Sequence, residues 1–431
     1  METYRRPLVA EIVARLEQPP ERLVAVFGPR QTGKTTAVRQ ALRSIRRPWR
    51  MVAFEPGGAD DSSDGASDEP WRAGVGTAPG PTARLASASR DAEWLVEVWE
   101  RCRQRAWQSR AGYVLVLDEI QALRDWSSVV KALWDADRAS GCPLHVVILG
   151  SAPLRIQAGL NESLMGRFVS VVSPHWSFPE MADAFGFSLD EYVFYGGYPG
   201  AAPLRASHEQ WHGYVRGSLI EPNIERDVLA MTRVDKPALL RRLVELGASY
   251  SGQIVAYNKL VGQLQEAGNT TTLARYLQLL TNAGLLAGLP KHTERAVSAK
   301  ASTPKLNVLN TALMSMISGY RFDEARSDRT MWGRLVESTV GAHLINTMSS
   351  DGHVRYWRDT HRRSAVEVDF VLQRGPHLLG IEVKSGTAPP QMTGLNEFSN
   401  RFNARTLVVG QGDIPLDQFL SAPATEWVDV T

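Results

Sequence analysis

Apolar residues along this chain follow two rhythms, and the points where one replaces the other divide it into regions. Continuous apolar runs recur early, at residues 23–27, 51–54, 113–117 and 145–149. Runs this short and unbroken predict strands buried on both faces, as in a parallel sheet. Between them the period is helical. Leu8, Ile12, Val13 and Leu16 share one face, residues 37–44 read as a second helix, and Trp94, Leu95, Val98 and Cys102 mark a third over 91–108. Strands alternating with helices predict an α/β fold around a parallel sheet.

From Trp211 the pattern turns helical. Residues 238–246 have an apolar face, Asn258 is placed to cap a helix over 259–266, and Asn269 or Thr270 opens another. In that third helix Leu273, Tyr276, Leu277 and Leu280 fall at i, i+3, i+4 and i+7, and Gly284 closes it. Residues 285–289 and 305–309 are then suited to pair as a hairpin. A final helix carries Trp332, Val336, Val340 and Leu344 on one face, with Glu337 at its border beside Gly333 and Gly341. Two alternating strands follow, at 366–372 and 379–384. Alternation predicts Val366, Val368 and Phe370 on one face with Glu367 and Asp369 on the other. Likewise Leu379, Ile381 and Val383 oppose Glu382 and Lys384.

One segment has neither rhythm. Residues 56–90 are rich in Gly, Ala, Ser, Pro and Asp with few large apolar residues, which predicts a flexible insertion. The chain has 431 residues, and about 150 residues per domain suggests three. The expected divisions are 1–200, 201–320 and 321–431. With 43% hydrophobic and 22% charged residues the composition is that of a soluble globular protein. No apolar run approaches the roughly 18 residues of a membrane span, and no secretory signal opens the chain. The two cysteines, Cys102 and Cys142, make neither a zinc pattern nor a disulfide framework. A cytoplasmic location without membrane contact is therefore expected. Net charge is +2, so nucleic-acid contacts would have to come from local patches.

The chemistry is concentrated at the ends of the early strands. After the first run comes Gly28-Pro29-Arg30-Gln31-Thr32-Gly33-Lys34-Thr35-Thr36, followed by a helix. Strand, Gly-rich turn and helix N-terminus together form a phosphate-binding loop, which turns successive N–H groups on an anion. Lys34 is placed for the β- and γ-phosphates of a nucleoside triphosphate, and the Thr35 hydroxyl for Mg2+. Asp118 and Glu119 end the strand over 113–117, where the aspartate would hold Mg2+ through water and the glutamate would polarise the attacking water. Ser151, after the strand over 145–149, either senses the γ-phosphate or caps a helix. Arg167 stands where ring-forming ATPases reach a neighbour's nucleotide, or is a solvated surface residue. The first role would make the protein a homo-oligomer.

These words resemble one family. Gly28 to Thr36, Leu117-Asp118-Glu119-Ile120-Gln121, Gly150-Ser151, Gly166-Arg167 and Gly196-Gly197-Tyr198-Pro199 are similar to the bacterial and archaeal AAA-like P-loop ATPases. Those proteins carry a C-terminal domain of unknown function with a restriction-endonuclease-like core. Two places depart from the family pattern: His175-Trp176, where a Leu-containing word is usual, and Asn310, where an aspartate is common. The resemblance implies ATP as ligand, and it implies that the three helices and hairpin form a winged helix. On the third helix Thr271, Thr272, Arg275 and Gln278 face outward, as groups that read base edges. Arg275, Lys291, Arg295, Lys300 and Lys305 against Glu294 alone suit a phosphate-facing wing, although such a module also serves protein contacts. The series Glu337, Asp369, Glu382 and Lys384 looks like the nuclease core. Its carboxylates would share Mg2+ or Mn2+, and Lys384 would orient or deprotonate a water or stabilise the developing phosphate charge. The expected function is thus an ATPase acting on DNA with a metal-dependent nuclease core. The alternatives are an ATP-controlled DNA-binding or scaffolding protein with a silent nuclease-like domain, and an ATPase switch acting on proteins.

Overall fold

The computed structural model describes residues 4–54, 61–62, 91–150, 163–225, 236–264, 270–293, 303–360, 365–386 and 392–429. It falls into two compact units, 1–173 and 174–431. The expected insertion at 56–90, apart from residues 61–62, lies outside the described residues. So do Ser151, Arg295 and Lys300.

The first unit is built on a six-stranded sheet. Its strands are β1 (Leu23–Phe27), β2 (Trp49–Ala53), β3 (Asp61–Ser62), β4 (Tyr113–Asp118), β5 (Leu144–Gly150) and β6 (Phe168–Val172), in the order β3-β2-β4-β5-β1-β6. All neighbours are parallel except the short edge pair of β2 and β3. Every residue of β1, β4 and β5 is buried, because helices cover both faces and strand side chains alternate between them. Leu23, Ala25 and Phe27 pack with Trp99, Leu115 and Val146 on one side. Val24 and Val26 pack on the other with Val38 and Leu42, and with Leu8, Ile12 and Leu16 of the helix Pro7–Glu17. The predicted third helix forms as Ala92–Gln108, with Asp91 capping it by accepting from Trp94 N at 3.0 Å.

The expected break near residue 200 falls at 173 instead, because the segment after it is bonded into the second unit. His175 Nε2 meets Gly284 O at 2.8 Å, and the Trp176 N–H donates to Gly197 O at 3.3 Å. The two departures from the family pattern also meet here: Asn310 Nδ2 lies 3.2 Å from His175 Nδ1. The Asn310 Oδ1 atom accepts from Gly197 N and from Ala312 N, both at 3.2 Å. One buried polar contact thus joins the two unusual positions and the glycine pair.

The helices expected at the start of this unit are Pro237–Ser249, Tyr257–Gln263 and Thr270–Asn282. Asn258 is not the cap expected of it. The extended residue before the second helix is Ala256, so the helix begins one residue ahead of Asn258. The hairpin forms as expected from β7 (Leu286–Leu289) and β8 (Lys305–Val308), antiparallel. A mixed four-stranded sheet closes the unit: β9 (Gly352–Asp359), β10 (Val366–Arg374), β11 (His377–Lys384) and β12 (Arg405–Gly410), in the order β12-β11-β10-β9. Residues on the hairpin side of β7 bond to this sheet, Tyr356 N donating to Pro290 O at 3.2 Å and His292 N to Tyr356 O at 2.6 Å. Among the described residues no helix is long and apolar enough to cross a membrane.

Candidate functional site

The strand carrying the phosphate loop, β1, and the strand carrying the acidic pair, β4, are separated by β5. Their C-terminal ends form a crevice, the position where open α/β sheets take ligands. Gly28 lies so close to Ser173 that a Cβ on it would stand 2.0 Å from that carbonyl oxygen. Gly33 has φ of 80°, a left-handed conformation a side chain resists. The loop is also held from beneath. Thr32 is fully buried; its hydroxyl donates to Pro29 O at 3.1 Å and shares a 3.1 Å bond with Ser173 Oγ. Arg6, also buried, donates to Thr32 O at 2.9 Å and to Ser173 Oγ at 3.1 Å. Neither Arg6 nor Ser173 was predictable: each is one ordinary letter far from the motif it supports.

Lys34 opens the helix Lys34–Ser44, and its side chain folds back over the loop. Its ammonium donates to Gly28 O at 3.0 Å and Pro29 O at 2.7 Å. Thr35 Oγ1 donates to Asp118 Oδ2 at 3.2 Å, which brings the two expected Mg2+ ligands together from residues 83 positions apart. A hydroxyl beside a carboxylate is the oxygen donor set a hard cation takes, so these residues fit magnesium. Burial pushes the Asp118 carboxyl up to about 6. Glu119 adds to this, while the Thr35 hydroxyl and the charges of Arg39 and Lys34 oppose it. Glu119 itself adopts φ of 54°, unusual for a residue with a side chain and common at functional sites. Its N–H donates to Leu149 O on β5 at 3.0 Å, and its carboxylate accepts from Gln121 Nε2. Around the loop, Pro29 and Arg30 are half-buried and Gln31 and Thr36 exposed. Arg167 precedes β6 and forks onto Asp135 of the helix Trp126–Ser140, at 2.7 and 3.1 Å.

In the second unit, two carboxylates of the Glu337, Asp369, Glu382 series, Glu337 and Asp369, meet a residue assigned elsewhere. Lys305, counted above among the basic residues of a wing, is fully buried. Its ammonium lies 2.6 Å from Glu337 Oε1, 3.3 Å from Asp369 Oδ1 and 3.5 Å from Glu367 Oε1. It also lies 3.2 Å from the Asp369 carbonyl and 4.9 Å from the centre of the Phe370 ring. Burial alone would lower the Lys305 pKa; Asp369, Glu337 and Glu367 together hold it above its ordinary value. Phe370 therefore does not join Val366 and Val368 as alternation predicts. The β10–β9 register shifts between Val368 and Val371, a bulge that restarts the alternation, so that Val371 continues the core of Val366 and Val368.

The remaining members are also engaged. Asp369 Oδ2 accepts from Val383 N at 2.9 Å, and Glu382 accepts from Lys384 Nζ at 2.7 Å. Burial raises Glu337 to about 7, against the pull of Lys305. Burial and then Asp369 raise Glu382 to about 7, with Lys384 opposing. Among the described residues, no group of three His, Cys, Asp or Glu side chains is arranged to hold a metal ion. The expected cation shared by Glu337, Asp369 and Glu382 does not fit this arrangement, because two ammonium groups already engage those oxygens. On the helix Thr270–Asn282, Thr271, Arg275 and Gln278 are exposed and Thr272 half-buried. Lys291 is also half-buried.

Three family models match successive parts of the chain. An AAA domain family model matches residues 83–182. Two domains of unknown function match beyond it, DUF8612 over 186–324 and DUF4143 over 332–425. No curated protein matches the chain. One similar solved structure is the Walker-type ATPase PABY2304 of Pyrococcus abyssi, at 14% identity, with 73% of this chain and 95% of that one covered and a TM-score of 0.45. Another is the ORC1 protein of Aeropyrum pernix in complex with DNA, at 16% identity, 76% and 94% coverage and a TM-score of 0.28. The RuvB Holliday junction branch migration motor of Thermotoga maritima is 15% identical, with 68% and 94% coverage and a TM-score of 0.32. The AAA domain match takes in the acidic pair that ends β4, and the phosphate loop at 28–36 precedes it in the same unit.

Proposed function

We propose that the chain binds and hydrolyses ATP in the crevice between β1 and β4 and uses the cycle to act on DNA. One observation carries the first half: Lys34, Thr35, Asp118 and Glu119 converge at the ends of strands that are not adjacent. Two neutral carbonyls hold Lys34 less strongly than phosphate oxygens would, so its ammonium transfers to the β- and γ-phosphates when ATP enters. The N–H groups of Gly28 and of residues 30–36 cradle those phosphates. Thr35 and Asp118 would hold Mg2+, which neutralises charge on the β- and γ-oxygens when bound. Glu119 orients the attacking water and accepts its proton. Arg167 acts on a neighbouring subunit's γ-phosphate once it leaves Asp135. The test is hydrolysis by purified protein: no release of phosphate above background from wild type with Mg2+ and ATP would end this reading.

For the second half, the three helices and hairpin support a winged helix whose exposed Thr271, Arg275 and Gln278 face base edges. The basic surplus of the wing is smaller than the sequence count, since Lys305 is withdrawn into the unit. The last sheet, with the helix Arg329–Thr347 beside it, supports a restriction-endonuclease-like core. The engaged carboxylates favour the reading in which that core binds without cutting, and the three-part division of the chain is retained as a division of roles. A gel shift with plasmid and linear DNA, with and without ATP, tests the DNA role. Absence of any shift in both conditions would move the assignment to a protein partner.

A further inference from the structure

Five charged side chains and Glu382 crowd one corner of the second unit, and their balance is informative. Lys305 stands among Glu337, Glu367 and Asp369, and Lys384 is paired with Glu382. Three carboxylates facing each other repel unless a cation lies between them. Here that cation is covalently part of the chain. Its contacts of 2.6 to 3.5 Å are ammonium–carboxylate distances, longer than the roughly 2.0–2.6 Å at which Mg2+ or Ca2+ takes oxygen ligands. The Lys305 side chain has no solvent exposure, whereas Mg2+ usually keeps several of its waters. An incoming ion would have to expel a buried ammonium that starts 4.9 Å from the centre of an aromatic ring.

The position of Lys305 in the fold gives the contact a second consequence. It is the first residue of β8, paired with Leu289 of β7 and bridged to Ile254. Its partners come from the helix Arg329–Thr347 and from β10. A hairpin strand therefore supplies the counter-ion for the sheet.

We infer that Lys305 is the resident cation of the Glu337, Glu367 and Asp369 cluster: it keeps divalent metal out and fastens the hairpin to the last sheet. The inference rests on the reading of that sheet given above, and it turns a would-be metal centre into a fixed joint. Removing the ammonium without opening a large cavity, as in Lys305→Met, uncovers three carboxylates and creates a site for one divalent ion.

The experiment is Mn2+ titration followed by electron paramagnetic resonance, on full-length nucleotide-free protein. Asp369→Asn provides the reference, so that Mn2+ held at Thr35 and Asp118 cancels. Wild type and Asp369→Asn should bind equal Mn2+. Lys305→Met should gain one Mn2+ per chain, at least tenfold tighter than any wild-type binding in this corner, and Lys305→Met with Asp369→Asn should lose it. A wild-type Mn2+ that disappears in Asp369→Asn overturns the inference. So does a folded Lys305→Met that gains no ion. Should Lys305→Met not fold, the wild-type and Asp369→Asn comparison decides alone. DNA cleavage is read in the same samples. Asp369-dependent metal on wild type without cleavage sinks only the role of Lys305, while metal-dependent cleavage by wild type also sinks the silent-nuclease reading.

Discussion

Lys34 and Lys305 are both buried, and they show two ways a fold can keep an ammonium out of water. Lys34 is held by two backbone carbonyls of its own loop, five and six residues away. Lys305 is held by three carboxylates, 32 to 64 residues away and from two elements. Neutral acceptors release an ammonium to a stronger anion, whereas a surplus of carboxylate fixes it. The first lysine is therefore suited to a reaction that comes and goes, and the second to a permanent joint. Buried charge alone does not mark an active site; the partner's charge decides which kind of site it is.

Lys34→Ala is the largest expected effect. Removing the cation that faces the transferred phosphate should reduce ATP hydrolysis by about 10^3-fold, by analogy with the loss of one electrostatic donor. Thermal stability should move less than in Lys305→Ala, since the ammonium's bonds run to two carbonyls of its own loop and its loss leaves no unpaired charge behind. A melting temperature that collapses would show Lys34 to be structural and erase the contrast. Glu119→Gln sharpens the same side. Loss of a general base should slow turnover by roughly 10^2- to 10^4-fold while leaving nucleotide binding intact. Rates within threefold of wild type would remove Glu119 from the mechanism.

Lys305→Ala should give the opposite profile. Breaking a buried pair by removing one partner costs about 3–5 kcal/mol, and here it leaves three carboxylates facing one another. Urea unfolding of the second unit's transition should show the loss, while Glu337→Gln on top of Lys305→Ala should recover part of it. If the single variant is as stable as wild type, the cluster is solvated and the joint does not exist.

The two lysines also mark how far the sequence could be read. Lys34 was legible because its strand, turn and helix are contiguous, and the same holds for the acidic pair ending β4. Buried strands and the hairpin were visible in period and composition. Lys305 was not legible: its three partners lie far along the chain, and as a letter it matches a solvated wing lysine. Phe370 was misplaced for a related reason, since the bulge that turns it toward Lys305 leaves no mark in an alternating pattern. The break at residue 173 was missed because the contact that draws the following segment into the second unit, His175 with Asn310, joins residues 135 positions apart.

A buried base without an acidic partner completes the contrast. His145 lies in β5 and His343 in the helix Arg329–Thr347, one in each unit. Each has one ring nitrogen against a backbone carbonyl, Gln18 O at 2.9 Å for His145 and Ala422 O at 2.9 Å for His343. No carboxylate raises either one, and burial pushes both from 6.5 down to about 4. The folded state then binds fewer protons than the unfolded state between these values. Stability contributed by each neutral ring is complete above pH 6.5 and falls as the pH drops toward 4, by at most about 3 kcal/mol per histidine. The measurement is the difference in unfolding free energy between wild type and His343→Gln from pH 7 to 5. Glutamine can donate to Ala422 O but does not titrate, so the variant should gain on wild type steadily as the solution is acidified. Parallel curves would mean that the ring titrates alike in the folded and unfolded chain, so that burial here does not discharge a base.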